Sequence, residues 1–115
     1  MAFTEYKTLS AVTVGATELS VVSGTTTLAT DTTDGVFQLW LDASNMAKGD
    51  EFSVRLYEKV LSGSTKTTFS RWTLLGVQDE IFVTPTFVLM NGWDMTIQKI
   101  AGTDRAFSAS VRQVA

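Results

Sequence analysis

Apolar and polar residues alternate along most of this chain, which is the pattern of β-strands that bury one face. In the segment EFSVRLYEKV the period of two predicts a shared face for Phe52, Val54, Leu56 and Val60. The same period recurs in GVFQLWLD, GWDMTIQKI and AFSASVRQV. These segments together predict an all-β fold.

Turn-forming residues separate the predicted strands. The segments SGSTK (62–66) and AGTDR (101–105) are short and contain glycine, as hairpin loops do. Pro85 has no N–H to give to a sheet, so it marks an edge or a bend. The first third of the chain is less regular, and we interpret residues 24–35 as a Thr-rich loop between short strands.

The segment DASNMAKGD contains the one helix signal in the chain. Asp42 or Ser44 suits an N-cap, and Gly49 suits a helix end, so the sequence predicts a short helical crossover over residues 43–48. With about eight strands, this predicts a single-domain antiparallel β-sandwich over residues 1–115, resembling a jelly roll. Residues 1–7 are a candidate extended N-terminal arm.

Composition excludes several kinds of chemistry. The chain of 115 residues contains neither Cys nor His, so disulfides, thiolate nucleophiles, imidazole bases and the usual zinc ligands are ruled out. The net charge is −3 and the nine Lys and Arg residues are scattered, which argues against nucleic acid as a partner. No apolar run approaches the roughly 20 residues that span a bilayer, and no signal-peptide pattern is visible. We therefore expect a protein made in a cytoplasm, with no membrane or cofactor.

Three local pairs of carboxylates are the only candidates for acid–base or metal chemistry. A glycosidase requires two carboxylates about 5–10 Å apart across a cleft, and nothing in the pattern places two on one concave face. The segment DTTDG lacks the alternating ligands of a calcium loop. Turn aspartates that bond their own backbone explain all three pairs, so we predict no catalytic residues, no metal and no enzymatic activity. The pairs are Asp31 with Asp34, Asp50 with Glu51, and Asp79 with Glu80.

The aromatic residues offer a binding function instead. Trp93 is in phase with apolar neighbours, which predicts a core position, whereas Trp40 and Trp72 are better surface candidates. The apolar phase of FSRWTLL shifts between Phe69 and Trp72, as a β-bulge would cause. Exposed aromatic rings can anchor a protein interface or stack on sugars, and we favour the former. The predicted interface residues are Phe3, Tyr6, Trp40, Tyr57, Arg71 and Trp72.

Several strands are apolar on both faces. They are VFQLWL, TLLGV and EIFVTPTFVLM. A small sandwich buries one face of each sheet, so the surplus indicates burial against other chains, unless the protein's own loops cover it.

Two segments, LDASNMAKGDEFSVRLYEKV and NGWDMTIQKIAGTDRAFSASVRQV, resemble small virion structural proteins of tailed bacteriophages. The shared features are a Leu-Asp-x-Ser-x-Met-x-x-Gly-Asp crossover, an Arg-Leu-Tyr strand and a Gly-Trp-Asp start of the closing hairpin. The resemblance implies a capsid decoration or cement protein that binds the major capsid protein on the virion surface. It also implies a homo-oligomer, with a trimer as one arrangement, and supplies no active-site residues.

Two alternatives remain open from the sequence. One is a tail, neck or fibre component of the same kind of virion. The other belongs to a different class and is a carbohydrate-binding module.

Overall fold

The computed structural model describes residues 2–114, and within that range it contains nine strands and no helix. The strands are β1 (Phe3–Val14), β2 (Leu19–Ser20), β3 (Gly35–Asp42), β4 (Glu51–Glu58), β5 (Thr67–Leu75), β6 (Phe82–Val83), β7 (Phe87–Leu89), β8 (Asp94–Ala101) and β9 (Arg105–Val114).

The strands form two antiparallel sheets. In the first sheet the order is β1-β9-β3-β6, and β7 also pairs with β3. In the second sheet the order is β2-β8-β4-β5. The predicted all-β architecture of two antiparallel sheets is therefore confirmed.

The core lies between the two sheets. Apolar residues at alternate positions of the paired strands are fully buried, because successive side chains of a strand point to opposite faces. Phe52 on β4 meets Phe107 on β9 with ring centroids 4.8 Å apart. Trp93 lies 4.4 Å from the ring of Phe37 and is fully buried, as the pattern predicts.

The predicted helical crossover at residues 43–48 is wrong. The backbone there makes two successive tight turns, in which the Met46 N–H bonds the Ala43 carbonyl and the Asp50 N–H bonds the Ala47 carbonyl. Asp42, expected as a helix cap, instead accepts a bond from the Ser44 N–H in an Asx turn. Side chains that bond the nearby backbone compete with the helix, and the segment is too short for a helix to prevail.

Asp50 ties these turns to the hairpin between β8 and β9. Its buried carboxylate accepts bonds from the Ala47 N–H (2.9 Å), from Arg105 Nε (2.7 Å) and from the Thr103 N–H (3.2 Å). These bonds, led by the one from Ala47, lower the pKa of Asp50 to about 2. Gly102 packs against it with φ +95°, and a Cβ there would clash with Asp50 Oδ1.

The expected N-terminal arm also has to be corrected for the residues that are described. Residues 3–7 form the beginning of β1 and pair with β9, from Phe3 opposite Val114 onwards. Two register shifts interrupt this edge strand, and Ala11 between β9-paired segments adopts φ 50°. Met1, which the prediction includes, lies outside the described residues.

The loop of residues 21–34 is held by hydrogen bonds to the beginning of β8. Asp94 is fully buried and accepts bonds from the Ser20 hydroxyl (2.6 Å) and the Ala29 N–H (2.9 Å). Asp31 forms an isolated antiparallel bridge with Trp93. Burial raises the pKa of Asp94, although the hydrogen bonds act in the opposite direction.

Candidate interaction surface

Two of the predicted interface residues, Phe3 and Trp40, lie on the outer face of the first sheet. Phe3 at the beginning of β1 is 75% exposed. Both side chains line a shallow, mostly apolar cavity of about 270 Å³. The Arg112 guanidinium stacks over Trp40 at 4.0 Å from the ring centroid, and Trp40 Nε1 donates a bond to Gln38 (3.0 Å). Trp40 is thus half-buried beneath an arginine rather than freely exposed.

Tyr6 has a different environment from the one predicted. Its ring packs edge-on against Phe37, with centroids 5.5 Å apart, at the margin of the core. The hydroxyl donates a bond to Asp31 (2.8 Å) and lies 2.7 Å from the Thr33 hydroxyl. Burial raises the pKa of Tyr6. This side chain holds the loop 21–34 in place.

Tyr57 and Arg71 are associated with the second sheet. The Tyr57 hydroxyl donates a bond to Glu18 (2.5 Å), and Lys66 lies over its ring at 5.4 Å. The hydroxyl of Thr96 also bonds Glu18. Arg71 is exposed on β5 and lies opposite Arg55 on β4.

Trp72 belongs to an aromatic cluster between the edge strands of the two sheets. Its ring lies 5.6 Å from that of Phe82 on β6 and 6.2 Å from that of Phe87 on β7. Phe69 lies 5.1 Å from Phe87 on the same side. The register between β4 and β5 shifts at Leu56/Tyr57 and leaves Phe69 without a partner, which is the bulge that the phase change predicts. The cluster closes the gap between β5 and β6–β7.

Exposed apolar side chains are concentrated in the segment of the chain that contains this cluster. Among residues 2–114, twelve large apolar residues are exposed, and nine of them fall between positions 60 and 90. We call these nine the apolar seam: Val60, Leu61, Phe69, Leu75, Val77, Ile81, Val83, Val88 and Met90. Contiguous apolar patches mark interaction sites, whereas isolated exposed apolar residues are ordinary, and three of the nine, Val60, Phe69 and Val88, lie together around one cavity.

One end of the apolar seam contains a cavity of about 320 Å³ between β5 and β7. Val60, Phe69 and Val88 contribute to its wall. Glu58 also lines it, but its carboxylate is engaged by the N–H groups of Met90 (2.7 Å) and Asn91. The cavity therefore offers mainly apolar contact.

The sequence pattern predicts most residues of the apolar seam but not all of them. The two-faced apolar segments TLLGV and EIFVTPTFVLM supply six of its residues, and the described loops do not bury them. Val60 continues the alternation of β4, which predicts an inward position, but it is 87% exposed. β4 ends at Glu58, and the turn that follows carries Val60 outward. The adjoining turn segment SGSTK (62–66) is the sequence signal that the strand ends before Val60.

Two of the six paired carboxylates, Asp31 and Asp50, accept hydrogen bonds from nearby backbone groups as turn residues do. Asp31 accepts a bond from the Thr33 N–H (2.8 Å), and Asp50 accepts those described above. Within residues 2–114, no group of three or more acidic side chains is placed to hold a metal ion. The same residues contain no helix that is long and apolar enough to cross a membrane.

Comparison with known proteins adds little to this picture. No family model matches the sequence, and no curated protein matches it either. One solved structure with a similar backbone is the crystal structure of the Yersinia pseudotuberculosis-derived mitogen. It has a TM-score of 0.49 and 13% sequence identity, over 90% of this chain and 80% of the mitogen chain.

Proposed function

We propose that this protein is a noncatalytic structural component of a phage virion, a decoration or cement protein that binds the major capsid protein and stabilises the capsid. In this role it acts by contact alone. Many copies bridge neighbouring subunits of the lattice, and each weak contact is strengthened by repetition. The copies on the lattice associate with one another as homo-oligomers, a trimer being one such arrangement.

The apolar seam is the observation that carries the proposal. Exposed Val60 and Val88 lie beside an apolar cavity, and neighbouring aromatic rings contact one another across the two sheets. Burying such side chains against another polypeptide contributes roughly 25 cal/mol per Å² of apolar surface removed from water. A protein-binding role requires no catalytic group.

The strand order of the two sheets also supports this assignment. Strand orders of β1-β9-β3-β6 and β2-β8-β4-β5 place the first and last strands side by side and favour a jelly roll for the sandwich. Viral capsid domains and lectins both use jelly rolls, so the architecture suits a virion protein but does not define its partner. The sequence resemblance to virion proteins of tailed phages supplies the choice between them.

Quantitative mass spectrometry of purified particles of the phage that encodes the chain tests this proposal. Hundreds of copies per particle are expected if the protein decorates the capsid. A few copies would instead assign it to the tail, neck or fibre. Absence from washed particles would contradict every virion role.

A further inference from the structure

β5 presents a long unpaired edge beside the apolar seam. It has nine residues and lies at the end of the second sheet, where its described partner is β4 alone. The neighbouring edge of the first sheet is protected, because β6 and β7 have two and three residues and are separated by Pro85. β5 has no proline, and beyond its bulge at Phe69 the pairing with β4 is regular from Ser70 to Leu75, so this stretch can pair with another extended chain. The edge of β5 is therefore open to an added strand.

The apolar cavity lies beside β5, next to the position that an added strand would occupy. Thr67, Thr68 and Phe69 of β5 form one wall, and Phe87 to Leu89 of β7 form the other. A strand placed beside β5 would extend the second sheet over the gap between the two sheets. One of its inward side chains would then face the cavity of about 320 Å³.

The charge of β5 specifies the partner further. Arg71 is the middle residue of the strand, and within residues 2–114 it takes part in no ion pair or side-chain hydrogen bond. Arg55 lies directly opposite Arg71 on β4. Its guanidinium is 3.8 Å from the Glu18 carboxylate, and its buried Nε has no hydrogen-bond partner among the same residues. Like charges on neighbouring strands repel each other. A carboxylate opposite Arg71 would relieve this repulsion.

We propose that β5 receives an extended segment of another protein as an additional strand, with an apolar side chain in the cavity and a carboxylate opposite Arg71. This inference rests on the proposed function and names the chemistry of the segment that is bound. A second copy of the chain fits less well. Two β5 strands paired symmetrically about their middle residue would place Arg71 against Arg71.

The test uses the full-length protein labelled with ¹⁵N and two synthetic nonapeptides. Both peptides alternate valine and threonine; one has aspartate at its centre and the other has lysine. We expect the aspartate peptide to shift the amide resonances of β5 and β7 saturably, and to bind about fivefold to tenfold more tightly than the lysine peptide. Equal binding of the two peptides, or shifts on another surface, would overturn the proposal.

Charge-reversal variants test whether the preference between the two peptides depends on Arg71. Arg71→Glu should reverse the preference in favour of the lysine peptide, while Arg112→Glu, the same change on the exposed face of the other sheet, should leave it unchanged. Thermal melts show whether both variants are folded. Self-association in place of peptide binding would assign the edge to a second copy and contradict the inference.

The outcomes separate this inference from the proposed function. A protein that is abundant on particles but shows no charge preference would keep its virion role and lose the proposed docking mode. A protein with the predicted preference that is absent from particles would keep the docking mode and lose the virion role.

Discussion

The core is closed by hydrogen bonds at the two ends of β8 and by apolar packing at the apolar seam. At the ends of β8, Asp94 and Asp50 collect backbone and side-chain donors from loops and hold those loops in place. We call these two carboxylates the polar locks. At the seam, rings such as Trp72 and Phe87 make the closure, and apolar side chains around them stay exposed. The polar locks cover the core with directional hydrogen bonds, whereas the seam leaves apolar side chains exposed, and we propose that another chain covers them.

Substitutions in the two regions should therefore have different effects. Changes at the polar locks should reduce stability, because the groups that bond these two buried carboxylates lose their acceptors. Changes at the seam should leave stability nearly unaltered and should reduce association with other proteins.

Asp50→Ala is expected to have the largest effect. It leaves the Ala47 and Thr103 N–H groups without the buried carboxylate that accepts from them, and Arg105 without its ion pair. The melting temperature measured by circular dichroism should fall by roughly 10 °C or more. The matched control is Asp104→Ala, which removes an exposed pair with Lys99 and should shift melting only slightly. Similar losses in the two variants would contradict the lock at Asp50.

Acid should weaken the same lock. The folded pKa of Asp50 is about 2, below the ordinary value of 3.8, so its contribution is complete above about pH 4 and is lost as the pH falls through 2. Urea unfolding followed between pH 5 and pH 2 should show this loss, and Asp50→Asn should make the dependence weaker. An unchanged pH profile in Asp50→Asn would show that other groups cause the acid sensitivity.

Asp94→Asn should have a smaller and more local effect. The amide NH₂ would replace an oxygen that accepts from the Ala29 N–H, at a cost of about 1–3 kcal/mol. Hydrogen exchange should become faster in residues 21–34 before it changes in β4. The neutral side chain also removes the group whose pKa burial raises, so stability lost in the wild type as the pH rises from 3.8 should no longer be lost. Uniform acceleration across both sheets would contradict a local lock.

Much of the fold follows from the alternation of residue types. Phe52, Val54 and Leu56 are buried as the period of two predicts, and Trp93 occupies the core. The prediction of a helix at residues 43–48 was wrong because Asp42 and Asp50 bond the backbone of tight turns. The residue preferences of helix caps do not take this competition into account.

The surplus of apolar residues predicts exposed apolar side chains correctly, whereas residue type alone does not predict where each aromatic side chain lies. Two-faced apolar segments such as TLLGV contain exposed seam residues, because a sheet of this size has one inner face to fill. Tyr6 and Tyr57 were chosen as aromatics, but their hydroxyls bond Asp31 and Glu18 inside the protein. Those acceptors lie 25 and 39 positions away along the chain, so local patterns gave no signal for them.

Seam variants should change stability least of all. Val60→Ser and Val88→Thr alter side chains that are 87% and 74% exposed, so each should shift the free energy of unfolding by no more than about 0.5 kcal/mol. Chemical unfolding of the purified variants measures this directly. A loss of several kcal/mol would mean that these side chains belong to the core.

Binding of the same variants to the particle tests the central claim most directly. Phage particles lacking the protein are mixed with the wild-type chain, with the Val60→Ser/Val88→Thr double variant, or with Asp104→Ala as a control, and the bound copies are counted by mass spectrometry. The account predicts that the double variant, although as stable as the wild type, loses most of its bound copies while Asp104→Ala keeps them. Full occupancy by the double variant would contradict the claim that the apolar seam is the surface by which this protein joins an assembly.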